Sequence, residues 1–260
     1  MHSPRETGRA KIHGLEMYYE IHGEGRPLVL LHGGFTTIEG WGEVLPTLAK
    51  ERRVIAVEQQ GHGHTADIDR PLAYEQMAED TAALLEWLKV EQADVFGYSD
   101  GGTVGLGLAI RHPRRVGRLA ILGAHSRRLR EVGEPKSYEE FMGLPADWAP
   151  KAMKDRYDRV APDPDHWPVL VQKIKALSRD FAGFSEAEMR SIRANVMIMM
   201  GDRDMVSPEH AVEMYRQIPE ARLAVFPGAD HFLILSDPRR VLATLVPFLD
   251  GEEVAAARRW

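Results

Sequence analysis

The sequence predicts an α/β fold, a mostly parallel sheet covered by helices on both faces. Two observations carry that prediction. Short apolar runs recur at residues 27–31, 53–57, 93–96, 119–122, 196–200 and 223–226. Strands buried on both faces read as continuous apolar runs of this length, whereas half-exposed strands alternate. Between them, residues 74–90 place Met77, Leu84, Leu85 and Leu88 at helical spacing. Strand and helix therefore alternate, which is the pattern of a parallel sheet with crossover helices.

The elements follow in order. Met17-Tyr18-Tyr19-Glu20-Ile21-His22 alternates, which predicts a half-exposed strand ending at Gly23. The strand at 27–31 leads into His32-Gly33-Gly34-Phe35, and that at 53–57 into a glycine- and histidine-rich loop. The strand at 93–96 runs into Gly97-Tyr98-Ser99-Asp100-Gly101-Gly102, after which 103–111 has helical character. From 126 to 190 the strand signal fades and charge rises. Pro135, Pro145, Pro150, Pro162, Pro164 and Pro168 punctuate this stretch. Its aromatics are Tyr138, Phe141, Trp148, Tyr157, Trp167, Phe181 and Phe184. Strand character returns at 196–200, before Gly201-Asp202-Arg203-Asp204, and at 223–226, before Gly228-Ala229-Asp230-His231-Phe232. The tail, 251–260, reads as a fraying helix end. No internal repeat or low-complexity tract appears.

Composition excludes several function classes. The chain has 260 residues, 44% hydrophobic and 28% charged, which suits one large core with at most a small added lid. Net charge is -6 and no basic stripe interleaves with aromatics, which argues against a nucleic-acid partner. With no cysteine, thiolate catalysis, disulfides and cysteine-based zinc sites are excluded. That usage fits a reducing cytoplasm. Residues 1–11 are polar, unlike a signal peptide, and no run approaches the roughly 20 apolar residues of a membrane span. A cytoplasmic protein with no membrane partner is the expectation. The sequence does not read out an oligomeric state.

A strand, a tight turn and a helix with Ser99 at the apex make a nucleophile elbow. The turn strains the serine backbone, so residues two positions either side must be small, and Gly97 and Gly101 are. A serine hydroxyl needs an adjacent base to act as a nucleophile at neutral pH. His231 follows the last strand, where such a base belongs. Together the four segments, in the order Ser, acid, His, resemble the α/β-hydrolase family over most of the chain. The resemblance implies a core of residues 1–125 and 191–260 and a helical cap at 126–190. It implies a serine hydrolase with Ser99 as nucleophile, His231 as base and Asp204 as the orienting acid. Asp202 is expected to shape its turn, and Asp230 is too close in sequence to His231 to share its ring proton. Some relatives carry the acid after the strand ending near Leu122, but Gly123-Ala124-His125 offers no carboxylate there.

The oxyanion hole needs two backbone N–H groups aimed at the developing charge. Asp100 supplies one in this reading; Gly34, with Phe35 second, supplies the other, and His32 anchors that loop. Phe35, Asp100 and the cap residues Trp148 and Trp167 are the candidate substrate contacts, although cap aromatics also serve simply to fasten the cap. Glu58-Gln59-Gln60-Gly61-His62-Gly63-His64-Thr65 occupies the family's Asp-x-x-Gly-x-Gly-x-Ser loop, with Glu58 for Asp and Thr65 for Ser. His62 and His64 lack a third ligand, so no metal is expected, and no phosphate loop is present. No cofactor is implied.

Asp100 departs from the family, where Met, Gln or Leu is common, because its charge opposes an oxyanion. The Ser-Asp-Gly-Gly elbow resembles that of valacyclovir hydrolase, whose aspartate receives the substrate's α-amino group. The alternative is that Asp100 is held inside the pocket, for example by His62 or His64. The expected activity is hydrolysis of a small-molecule carboxylic ester or lactone through an acyl-enzyme. Alternatives are a C–C bond hydrolase or perhydrolase with the same triad, an α-amino acid ester hydrolase using Asp100, and, in another class, a hydrolase-fold small-ligand receptor. Aspartate-nucleophile relatives are disfavoured by serine at the apex.

Overall fold

The structure, a computed structural model, describes residues 3 to 251. Eight strands form one sheet: β1 (Glu6–Ile12), β2 (Leu15–His22), β3 (Arg26–Leu31), β4 (Arg52–Val57), β5 (Ala93–Tyr98), β6 (Val116–Leu122), β7 (Asn195–Arg203) and β8 (Ala221–Asp230). Their spatial order is β1-β2-β4-β3-β5-β6-β7-β8. From β4 onward every pairing is parallel, while β2 runs antiparallel to both β1 and β4. The first strand is an addition to the sequence reading. Its polar ends hid it, but Ala10 and Ile12 point into the core. It is joined to β2 through His13-Gly14, both at positive φ, the backbone a two-residue hairpin of type I′ requires.

The continuous apolar runs are explained by two cores. Along β3, Val29 and Leu31 face one and Leu28 and Leu30 the other. The first is closed by helices Tyr74–Trp87, Asp100–Arg111 and Pro208–Gln217, the second by Val44–Leu48 and Pro238–Asp250. The strands run longer than their apolar runs. Gly97 and Tyr98 belong to β5, and β7 and β8 carry polar residues past the core at their C-terminal ends.

Between β6 and β7 lie helices Leu129–Val132, Pro135–Gly143, Lys151–Val160 and Trp167–Asp180. Lys173 ties the last of these to the loop after β4, donating to the Asp67 carboxylate at 2.6 Å and to the carbonyls of Ile68 and Arg70. The next helix, Glu186–Ser191, packs against Asp100–Arg111 and Pro208–Gln217. It stands with the core helices, although all but its last residue falls within 126–190. Gly251 ends the last helix in the left-handed conformation. The rest of the expected fraying end lies outside the described residues. No helix among the described residues is long and apolar enough to cross a membrane.

Candidate active site

The parallel strands β3, β5, β6, β7 and β8 all end at one edge, and the site is assembled there. Ser99 sits between β5 and helix Asp100–Arg111 with φ +54 and ψ -122. An L-residue holds φ in that region only when its surroundings over-determine it. Here the Ser99 N–H donates to Leu122 O at 2.8 Å, and the Ser99 carbonyl accepts from Gly102 and Thr103. The flanking glycines are a packing requirement. A Cβ on Gly97 would lie 2.3 Å from Gly101 O, and one on Gly101 2.0 Å from Leu31 O.

Ser99 Oγ lies 2.9 Å from His231 Nε2, and His231 Nδ1 lies 2.7 Å from Asp204 Oδ1. A carboxylate only accepts, so Nδ1 carries the ring proton and Nε2 offers its lone pair to the Ser99 hydroxyl. Tyr98 Oη donates to His231 O at 3.0 Å and fixes the backbone beneath the ring. Asp204 is buried and also accepts the Val206 N–H. Gly123, at φ +62, leaves room for the pair, since a Cβ there would stand 3.0 Å from both Asp204 Oδ2 and His231 Nδ1. Burial alone would depress the His231 pKa. The carboxylates, Asp204 first and then Asp100 and Asp230, outweigh it, and the net shift is upward. The other two candidate acids are occupied elsewhere. Asp202 accepts the Gly228 N–H at 2.6 Å and Asp230 the Phe232 N–H at 2.9 Å.

For the oxyanion hole the structure separates the candidates. The Phe35 N–H donates to His62 Nε2 at 3.3 Å, so it is not free. No acceptor among the described residues takes the N–H of Gly34 or of Asp100. Phe35 itself holds φ +63, which turns the loop. Beneath it, His32 Nδ1 donates to Gly33 O and Nε2 accepts the Gln59 N–H, so His32 does tie the loop down. His62 Nδ1 donates to Gln60 O. Burial pushes both imidazoles down, that of His62 to about 3 with help from neighbouring His32. They are neutral scaffolding. Glu58 braces the same loop, accepting from the N–H of Ile38 and from both the N–H and Nδ1 of His64. No cluster of three metal-ligating side chains occurs among the described residues.

Asp100 is not held by His62 or His64. Its Oδ1 accepts from Tyr74 Oη at 2.6 Å, and no hydrogen bond reaches Oδ2 among the described residues. A cavity of about 430 Å³ lies over Ser99 and His231. Phe35, Trp148 and Phe141 line it, with the Phe35 ring edge-on to both. Trp167 does not line it. Its ring is buried between Phe35 and Tyr157 and its indole N–H donates to Trp148 O at 2.7 Å, so it fastens the helices instead of meeting a ligand. Among the other aromatics of 126–190, Phe181 and Phe184 pack on each other, and Phe181 also packs on Tyr74. Sequence reasoning missed Tyr74, His125, Ile174 and Ser178. His125, three residues past β6, carried a positional signal; the others carried none.

A strained serine, a carboxylate and a histidine at the ends of β5, β7 and β8, in that chain order, form the arrangement of a hydrolase site on an α/β sheet. Residues 28–244 match the alpha/beta hydrolase family, and the chain belongs to it. It is 29% identical to 2-hydroxy-6-oxo-2,4-heptadienoate hydrolase of Pseudomonas putida strain F1, over 95% of this chain and 98% of that one. It is 28% identical to 2-hydroxymuconate semialdehyde hydrolase of Pseudomonas sp. strain CF600, over 96% of each. The enol-lactonase of Burkholderia xenovorans LB400 shares the fold at TM-score 0.77, with 24% identity over 93% of this chain and 99% of that one.

Proposed function

We propose that the protein hydrolyses a small, uncharged carboxylic ester or lactone through an acyl-enzyme on Ser99. The observation that carries this reading is the unbroken hydrogen-bond chain Ser99–His231–Asp204. His231 Nε2 takes the Ser99 proton as Oγ attacks the carbonyl carbon. The oxyanion forms against the N–H groups of Gly34 and Asp100. His231 then gives the proton to the leaving oxygen, and a water, activated the same way, releases the acid and frees Ser99. Asp204 holds the ring tautomer and faces the imidazolium. The helices between residues 129 and 180 act as the cap that shapes the cavity.

Charge favours an ester over an anionic keto acid of the kind the relatives' names describe. Asp100, Glu140 and Asp230 line the cavity, and among the described residues Arg203 is the one lysine or arginine that does. A carboxylate substrate would meet Asp100 beside the reacting carbon. C–C hydrolysis with the same triad therefore stands second. The free Asp100 Oδ2 favours a further reading, α-amino esters, whose ammonium would pair with it.

The test is steady-state turnover of short-chain p-nitrophenyl esters, neutral and α-amino, by the wild type and by Ser99→Ala. Turnover that disappears in the variant supports the reading. A wild type inert toward esters, or a variant that retains activity, refutes it and moves the C–C hydrolase and receptor readings ahead.

A further inference from the structure

Ser178 sits on helix Trp167–Asp180, lines the cavity and is 5% exposed. Its Oγ has no hydrogen-bond partner among the described residues. A serine within a helix normally bonds the carbonyl one turn back. Ser178 does not, and a buried hydroxyl left unmade is destabilising.

A second unused group lies at the same end. His125 Nδ1 is 2.7 Å from Arg127 O, and a carbonyl only accepts, so the ring proton is on Nδ1 and Nε2 is an acceptor. Tyr74 Oη approaches Nε2 at 3.4 Å, but its single proton goes to Asp100 Oδ1 at 2.6 Å. The Nε2 lone pair is therefore unclaimed. Burial, the largest influence on this ring, keeps it neutral.

Two neighbours place these groups together. Ile174, one turn before Ser178, lies 3.4 Å from where a Gly34 Cβ would stand, beside Asp100. Phe181, three residues after Ser178, packs its ring against His125 and Tyr74 at 5.8 and 4.8 Å. Ser178 is thus at the Asp100 end of the cavity. The leaving oxygen must lie against His231 to receive its proton, so the acyl chain runs toward the other end.

We propose that Ser178 and His125 form a subsite for a hydroxyl group carried on the acyl chain of the substrate. The hydroxyl donates to His125 Nε2 and accepts from Ser178 Oγ, which satisfies both. A methyl group leaves both unmade. An ammonium accepts nothing and leaves the Ser178 proton unpaired, and a carboxylate faces the charge of Asp100. The assignment of the acyl chain rests on the ester reading above.

The experiment compares matched short-chain methyl alkanoates and hydroxyalkanoates. The wild type should favour the hydroxylated ester by about tenfold in kcat/KM, the worth of two modest hydrogen bonds. Ser178→Ala should cut that ratio to about threefold, the bond to His125 remaining, without lowering the melting temperature, because its hydroxyl had no partner to lose. Binding is read separately in Ser99→Ala by thermal shift. There the hydroxylated ester should stabilise more than the plain one, and adding Ser178→Ala should about halve the difference. A wild type that turns over neither ester, with the binding difference intact, refutes the ester reading and leaves the subsite standing. Equal shifts for the two esters, a wild-type preference for the plain ester, or an equal loss on both esters in Ser178→Ala overturns the subsite.

Discussion

Asp204→Asn isolates the charge of the proposed triad from its shape. Asp204 Oδ1 accepts from both His231 Nδ1 and the Val206 N–H, so an amide oxygen would stay in place between two donors. What disappears is the negative charge facing the imidazolium that forms during attack. With about 4 Å between charge centres and an effective dielectric of about 20, that attraction is worth about 4 kcal/mol. At 1.36 kcal/mol per decade, kcat/KM for a p-nitrophenyl ester should fall about 10³-fold. Asp230→Asn is the control. Asp230 is exposed and, among the described residues, accepts only the N–H of Phe232 two positions on, so its loss should cost less than about threefold, as surface charges do. Steady-state rates well above pH 7 decide it. If Asp204→Asn stays within about tenfold of wild type, the charge contributes far less than this separation gives, or another carboxylate serves.

Two further outcomes follow from the same geometry. The base must be neutral to act, and its pKa is raised by Asp204, Asp100 and Asp230, so kcat/KM should rise with pH through a midpoint above the ordinary His value of 6.5. Asp100→Asn, which removes one of the raising charges, should move that midpoint to lower pH; a profile flat through pH 5 would remove His231 from the mechanism. Trp167→Ala should cost about 3–5 kcal/mol in urea unfolding, since the ring is fully buried and its N–H is bonded. Trp148→Ala, at the cavity wall, should instead change the preference among esters more than the stability.

The sheet was legible because its strands are buried on both faces and its motifs sit where strands end. Gly97 and Gly101 could be read as obligatory, and the backbone contacts their side chains would make show why. The first strand was not legible, since Glu6 and Gly8 stand on the face that Ala10 and Ile12 turn to the core and so break its alternation. The cap was legible as a region and illegible as a surface. Trp148 and Trp167 look alike in sequence, yet one meets the cavity and the other is sealed behind it. That difference depends on how short helices pack, which no local pattern encodes. Phe35 shows the same limit. Only the loop's path reveals that its N–H is spent on His62. The partner of Asp100 was also out of reach, because Tyr74 opens a helix 26 residues earlier and is brought over the elbow by the sheet crossover.

The charge of Asp100 looks at first like an obstacle to the proposed reaction, but it acts on two charges at once. As Ser99 attacks, a negative oxygen and a positive imidazolium form together. Asp100 opposes the first. It also favours the second, being among the charges that raise the basicity of His231. Tyr74 further moderates the opposition by donating to Oδ1, a charge-assisted bond that holds that oxygen on the helix side of the cavity. The net effect on the barrier is therefore smaller than either interaction alone. The remaining oxygen, Oδ2, is left to act on whatever group the acyl chain brings beside it. In the proposed reaction, specificity at this elbow then comes from a residue whose electrostatic cost to the chemistry is largely offset within the same transition state.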